Sequence, residues 1–315
     1  MTLLPSEETD RLRRLHYNAA LEKVFEVHPE LRILRVRPDD GVPVFEPGQY
    51  TALGLGNWEP RVADTQEETL TPEQQTKMAR RAYSISCSLL DEDGKPRRPA
   101  DFPYLEFYVA LVRRAEKRPP ALTPRLFAMQ PGDRLYVQPK IAGSYTLAEV
   151  KPDDNVVFLA TGTGEAPHNA MAAELLGRGH AGRIAQVTTT RYRKDLAYRD
   201  TQHELERRFA NYRYLTLTTR EPENLDPSVP NYIGKRYLQA FIQSGEFEQQ
   251  SGIPLKPGAV HVFLCGNPAM IGVPLKQPDG QFRPQPGGVI ELLEQRGLHA
   301  DQPRKPGNIH FERYW

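Results

Sequence analysis

Four sets of residues in this chain have types and spacings that could do chemistry. Thr161-Gly162-Thr163-Gly164 follows the apolar run NVVFLA (155–160) and precedes a helix-like segment. Glycines at such a turn let the backbone approach a phosphate. The free N–H groups of a helix start, with the positive end of its dipole, favour an anion there. Pro167 takes the third glycine position of the G-x-G-x-x-G pattern, so the turn reads equally as a tight strand-to-helix connection needing positive φ. Arg81-Ala82-Tyr83-Ser84 lies on an expected strand. Residues two apart on a strand share a face, so Arg81 could grip a phosphate while Tyr83 stacks on a flat ring. The plainer reading is an exposed basic–aromatic pair. Cys265-Gly266-Asn267-Pro268 ends another expected strand, where ligands of parallel sheets bind; the alternative is a small buried cysteine closing a core strand. Arg191, Arg193, Arg220 and Lys235, with Tyr237 nearby, form a basic set. A 2′-phosphate needs such cations, whereas free ribose hydroxyls call for an acid. For Arg191 and Arg193 an ordinary solvated surface competes strongly.

The elements that must position these residues change character midway. LEKVFEV, LRILRVR, QYTALGL, RAYSISCS, YLEFYVALV and DRLYVQP are short β-branched or aromatic runs between turn clusters, the pattern of an antiparallel sandwich or barrel. Residues 57–80 and 91–103 interrupt it as polar or Pro-rich insertions, and Thr71 should N-cap a short helix. From residue 152 strands and helices alternate, which implies a doubly wound parallel sheet. NVVFLA, IAQVTTT, YRYLTLTT and AVHVFLCG are its strands, and NIHFERYW is a last strand or a tail. Two domains are therefore expected, 1–150 and 151–315, with residues 1–17 as an N-terminal extension.

A length of 315 residues agrees with two domains of roughly 150 each. Lys plus Arg number 41 against 40 Asp plus Glu, a net charge of +1, which argues against a general nucleic-acid binder. Two cysteines, Cys87 and Cys265, cannot make a disulfide framework or a four-cysteine metal site. No run approaches the roughly 20 apolar residues of a membrane span, and MTLLPSEETDRLRRLHYN has no secretory apolar region, so the cytoplasm is expected.

In order and spacing, RAYS (81–84), LTPRL (122–126), ATGTG–AP (160–167), TRE (219–221), GKRYLQ (234–239), CGNPAM (265–270) and FERYW (311–315) resemble the ferredoxin/flavodoxin–NADP⁺ reductase family over nearly the whole chain. The final Tyr-Trp resembles its bacterial branch. The resemblance implies a flattened antiparallel β-barrel carrying FAD, followed by an NADP(H)-binding α/β domain. Arg81 would hold the FAD diphosphate, Tyr83 would pack on the isoalloxazine and Ser84 would hydrogen-bond near flavin N5. The backbone of Phe107, Tyr108 and Val109 would line the ring, with Thr123, Gly143 and Ser144 at the diphosphate. Thr163 and Gly164 would receive the nucleotide pyrophosphate. Cys265 would sit near the nicotinamide. Thr219, Arg220 and Lys235, with Arg191 in the basic set, would take the 2′-phosphate, and Tyr237 would stack on adenine. Tyr314 would cover the flavin, Trp315 would reach toward the FAD adenine, and Glu312 would be a carboxylate near the flavin. The implied activity exchanges a hydride between NADP(H) and FAD, and single electrons with an acidic carrier, ferredoxin or flavodoxin. A monomer or weak dimer is expected. The alternatives are a flavin reductase component serving a separate iron–sulfur carrier, and a flavin-binding sensor without turnover.

The chain departs from the family at Glu165, usually apolar; at His168, often aromatic; and at Lys235, commonly arginine. A carboxylate one residue past a phosphate turn repels an anion unless it points away or is paired. The loop 272–287 is longer than the simplest bacterial members need. KMARR (77–81), KPRR (95–98) and RRAEKR (113–118) are the runs that could meet an acidic carrier.

Overall fold

In a computed structural model, which describes residues 4–278 and 280–314, all six strands expected in the first half form. They are β1 (Ala19–His28), β2 (Leu31–Pro38), β3 (Tyr50–Gly56), β4 (Met78–Ser84), β5 (Leu105–Ala110) and β6 (Arg134–Val137). They pair antiparallel in the order β4-β3-β6-β1-β2-β5. The two ends of that order meet where the Ser86 N–H donates to the Glu106 carbonyl at 2.8 Å, which closes the sheet on itself as a barrel. Leu21, Leu34, Leu53, Phe107 and Leu135 fill its interior.

The segment 57–80 is tied down rather than loose. Arg125, whose side chain is fully buried, pairs with Glu68 at 2.7 Å and donates to the Asn57 carbonyl at 2.9 Å; Arg61 joins the same carboxylate at 3.1 Å. Thr71 forms the expected cap, with Gln74 completing a reciprocal capping box. Within residues 1–17, expected as an N-terminal extension, Ser6–His16 is a helix. Its Arg13 grips Glu59 through two hydrogen bonds of 2.9 and 2.6 Å, and Tyr17 and Trp58 donate to the same carboxylate. Only Leu12 of that helix is buried, so the apolar periodicity that announces a helix is absent.

In the second half β7 (Asn155–Thr161), β8 (Ile184–Thr190), β9 (Tyr212–Thr218), β10 (Val260–Gly266) and β13 (Ile309–Arg313) form a parallel sheet in the order β13-β10-β7-β8-β9. A small hairpin of β11 (Leu275–Lys276) and β12 (Phe282–Arg283) occupies the long loop 272–287. NIHFERYW is thus largely a strand. Helix Glu165–Gly177 covers one sheet face, where His168 stacks on Phe158 of β7. The helices Leu238–Gln243 and Val289–Gln295 bury their apolar residues with Val157 and Leu159 on the other face. The chain leaves β7 toward β8 and later returns on its far side as β10, so the winding reverses between β7 and β10.

By its contacts the chain divides into two units: residues up to Cys87 with Ala100–Ser144, and Ser88–Pro99 with the chain from Tyr145 onward. The short stretch 88–99 clusters with the second unit because Arg98 reaches Glu174 at 3.9 Å and the Arg208 guanidinium donates to the Gly94 carbonyl. Among the described residues no helix is long and apolar enough to cross a membrane, and no cluster of three His, Cys, Asp or Glu could hold a metal.

Candidate functional site

In the second unit the reversal point of the sheet carries the phosphate-type turn. Gly162 has φ +54° and opens a single tight turn through Gly164. Gly164 itself has an ordinary φ of −60°; it is required for space. A Cβ there would lie 2.4 Å from the Cys265 carbonyl oxygen. The ends of β7 and β10 are further joined where the Asn267 N–H donates to the Thr161 hydroxyl at 2.8 Å. Thr161 and Asn267, the first residue of one motif and the third of the other, fix the edges of the turn through this bond. Ligands of open α/β sheets bind at such a reversal, beyond the carboxyl ends of the strands. Gly164→Ala is therefore expected to force the two strand ends apart, costing about 1–3 kcal/mol in thermal unfolding. NADP⁺ affinity measured by calorimetry should fall at least about tenfold with it. An unchanged melt and affinity would show that the close approach has no role.

Tyr314 lies against this turn: its hydroxyl donates to the Thr163 carbonyl at 3.2 Å and its N–H to the Gly266 carbonyl at 3.2 Å. Cys265 is fully buried, next to Ala160 of β7 and Glu312 of β13 in the strand register. Burial pushes its thiol well above the usual range, the Glu312 charge adds to that, and a hydrogen bond with Tyr314 offsets part of it. Trp315 lies outside the described residues.

Glu165, expected to repel an anion unless diverted, is diverted. Its side chain turns into the protein and is fully buried. One oxygen accepts from the Tyr214 hydroxyl at 3.0 Å, the Gln186 amide at 3.3 Å and the Gln202 amide at 3.5 Å. Burial raises its pKa to about 7 despite these donors. His168 is buried too, 2.7 Å from the Tyr145 hydroxyl, and burial lowers its pKa to about 3, so it is neutral. Neither residue presents a charge beside the turn in the acid-to-neutral range.

The basic set separates into two groups. The Arg220 N–H donates to the Arg191 carbonyl at 2.9 Å, and the Arg236 N–H to the Thr218 carbonyl at 3.2 Å. These bonds gather residues 190–191, 218–220 and 234–237 at the carboxyl ends of β8 and β9. The Thr219 hydroxyl donates to the Thr190 carbonyl at 3.3 Å. Arg220, Lys235 and Tyr237 are exposed, and among the described residues neither Arg220 nor Lys235 pairs with a carboxylate. Arg193, by contrast, is drawn to Glu221 and Glu223, and Arg191 lies 3.7 Å from Asp195.

In the first unit, Arg81 is exposed and donates only to the Arg80 carbonyl. Tyr83 meets Phe107 edge-on at 6.5 Å, and Ser84 is buried at the strand end. Phe107, Tyr108 and Val109 are all buried on β5. Tyr50, a residue the sequence reading passed over, is flanked in register by Ser84 on one side and Ala142 on the other. It thereby brings the Arg81–Ser84 strand beside Gly143 and Ser144. Gly143 has φ +114° with the Tyr50 ring 3.1 Å from where a Cβ would stand; Ser144 is exposed. Thr123 is engaged nearer the chain turn, where its hydroxyl accepts from the Val112 N–H at 3.1 Å. An exposed guanidinium, an aromatic ring and a loop with a positive-φ glycine, brought together by β3 and β4, have the types that a diphosphate joined to a flat ring would need.

The three basic runs are partly neutralised. Lys77 pairs with Glu73, Arg97 with Asp91, Arg98 with Glu174 and Arg113 with Glu30. Arg114, Lys117 and Arg118 remain exposed without a carboxylate among the described residues.

Comparison with known proteins agrees with this geometry. The family model for the oxidoreductase NAD-binding domain matches residues 158–274. A flavodoxin/ferredoxin–NADP reductase of Escherichia coli is 31% identical over 228 residues, covering 72% of this chain and 76% of that protein. Ferredoxin–NADP reductase B of Sorangium cellulosum is 28% identical over 95% of this chain and 97% of its own length. The crystal structure of a ferredoxin NADP⁺ reductase from Neisseria gonorrhoeae, with bound FAD and NADP, superposes with a TM-score of 0.67 at 18% identity, covering 94% of this chain and 97% of that one.

Proposed function

The chain belongs to the flavodoxin/ferredoxin–NADP reductase family, and we propose that it exchanges two electrons between NADP(H) and FAD and single electrons with an acidic carrier protein, ferredoxin or flavodoxin. The observation that carries the nucleotide preference is the pair of exposed cations, Arg220 and Lys235, at the carboxyl ends of β8 and β9, without a carboxylate partner among the described residues. A 2′-phosphate answers that charge, and a plain ribose does not.

FAD, when bound, supplies the chemistry that links a two-electron nicotinamide to a one-electron carrier. The chain's own residues bind, orient and shield. Arg81 would hold the diphosphate and Tyr83 would pack on the ring. Ser84 would supply a hydroxyl to the ring's reacting part, with the backbone of Phe107, Tyr108 and Val109 beside it. Thr123, Gly143 and Ser144 border the diphosphate. Thr163 and Gly164 offer backbone N–H groups to the nucleotide pyrophosphate. Thr219, Arg220 and Lys235 receive the 2′-phosphate, with Arg191 adding charge, and Tyr237 stacks on adenine. Cys265 and Glu312 would border the nicotinamide end, and the roles the family resemblance gives Tyr314 and Trp315 are those of aromatic residues serving the FAD. Arg114, Lys117 and Arg118 are the cations left to steer an acidic carrier. The cytoplasm is the compartment this reading implies.

A carboxylate that repelled the nucleotide would favour a flavin-binding sensor without turnover, and Glu165 is the residue placed to do so. Buried and protonated below about pH 7, it gives no reason to prefer that reading. An anaerobic visible spectrum of the purified protein tests the proposal. The flavin absorbance should bleach quickly with NADPH and slowly with NADH; bleaching by neither, or no flavin even after incubation with FAD, would overturn it.

A further inference from the structure

A polar cluster lies sealed beneath the phosphate turn. Glu165, Asn169, Gln186, Gln202, Tyr212 and Tyr214 come from one helix, two strands and a second helix, and all are buried. The Asn169 side-chain oxygen Oδ1 accepts from the Gln202 amide at 2.7 Å and the Gln186 amide at 3.0 Å, and the Tyr212 hydroxyl donates to the Gln202 side-chain oxygen at 2.6 Å. Glu165 is the only carboxyl among these six. No Lys or Arg hydrogen-bonds or pairs with it among the described residues. One of its oxygens has no hydrogen-bond partner, and Thr188 of β8 stands near but makes no bond of good geometry. An isolated charge in such a place is expensive, and the group escapes the cost by keeping its proton. Yet Glu165 is the residue directly after Gly164, at the start of the helix whose N–H groups face the turn.

We propose that Glu165 is a positioning residue that sets the pH range over which the turn accepts a dinucleotide: protonated, it anchors the helix start without charge, and ionised, it places an anion behind the bound diphosphate. This rests on the nucleotide reading above.

The groups facing Glu165 are few. Tyr212 and Tyr214 face it from β9, Gln186 and Thr188 from β8, and Gln202 from helix Arg199–Arg208. Glu206 and His203 lie one layer out, against Tyr214. On its own helix, Asn169 joins the cluster and His168 is held neutral. None of the groups that hydrogen-bond Glu165 among the described residues is a cation. The sign follows. The folded protein holds a proton that the unfolded chain releases between about 4.5 and about 7, so stability falls as pH rises through that window. A bound anion favours the protonated carboxyl, so NADP⁺ binding draws in a proton near neutrality, and reciprocally affinity falls as that proton is lost.

The test compares the FAD-loaded protein with Glu165→Gln and Glu165→Leu. NADP⁺ dissociation constants would be measured by calorimetry between about pH 6 and pH 9. Taking the ratio of wild type to variant at each pH cancels the titration of the 2′-phosphate itself. That ratio should rise roughly five- to tenfold across the range. In nucleotide-free wild type, an infrared carbonyl band of a protonated carboxyl should be present at the acid end, vanish at the alkaline end, and be missing from Glu165→Gln. A flat ratio, or no titrating band in the wild type, overturns the proposal, and the band decides even if both variants misfold. Absence of NADP⁺ binding by every form at every pH overturns the nucleotide reading, and this one with it.

Discussion

Replacing Arg220 and Lys235 together by alanine is expected to weaken NADPH binding on the order of 100-fold and NADH binding less than about threefold. Both side chains are exposed and, among the described residues, pair with no carboxylate, so the effect should appear in binding rather than in folding. Two neighbouring arginines are engaged elsewhere. Arg193 is held by Glu221 and Glu223, and Arg236 pairs with Glu246 at 2.7 Å. Lysine at 235 contributes a point charge without the planar fork of an arginine, so Arg220→Ala alone should carry the larger share. Raising the salt concentration should shrink the difference, because exposed charges are screened. Equal weakening of both nucleotides, read from dissociation constants at fixed ionic strength, would mean that these residues do not read the 2′-phosphate.

Ser84→Ala is expected to slow flavin reduction by NADPH by about 100-fold while leaving FAD bound. Ser84 is 5% exposed at the end of β4, and the substitution removes a single oxygen without changing backbone conformation. Arg81 and Tyr83, the residues proposed to hold the cofactor, are untouched. Stopped-flow reduction together with the flavin-to-protein absorbance ratio separates the outcomes. A normal rate would remove the hydroxyl from the reaction; loss of flavin would make it a binding group.

What could be read from sequence depended on whether the signal was local. NVVFLA is apolar throughout because β7 is covered on both faces, and such a run can be recognised without knowing its neighbours. The Thr71 cap is likewise written within four residues. Helix Ser6–His16 was missed because what holds it is largely distant: Glu59 lies 46 residues from Arg13. Sequence could say only that Glu165 would repel an anion unless it pointed away or was paired; it could not choose, because one rotation about the helix start decides the matter. Its partners come from β8, β9 and a helix more than one element away. The same holds for the basic set. Arg193 and Arg220 look alike in sequence, and only the fold shows that one is matched by acids and the other is not.

The assignment of 88–99 to the second unit has a consequence for how this architecture can be divided or recombined. A cut at 144/145 separates two stretches of sequence but not two sets of contacts. A fragment beginning at Tyr145 would leave Glu174 without Arg98, and Arg208 without the Gly94 carbonyl. Gly177, whose absent side chain makes room for Arg98, would lose that neighbour. The nucleotide half is therefore not inherited as one contiguous block. Any exchange of that half between relatives, in evolution or in a chimera, must carry a loop encoded inside the other half.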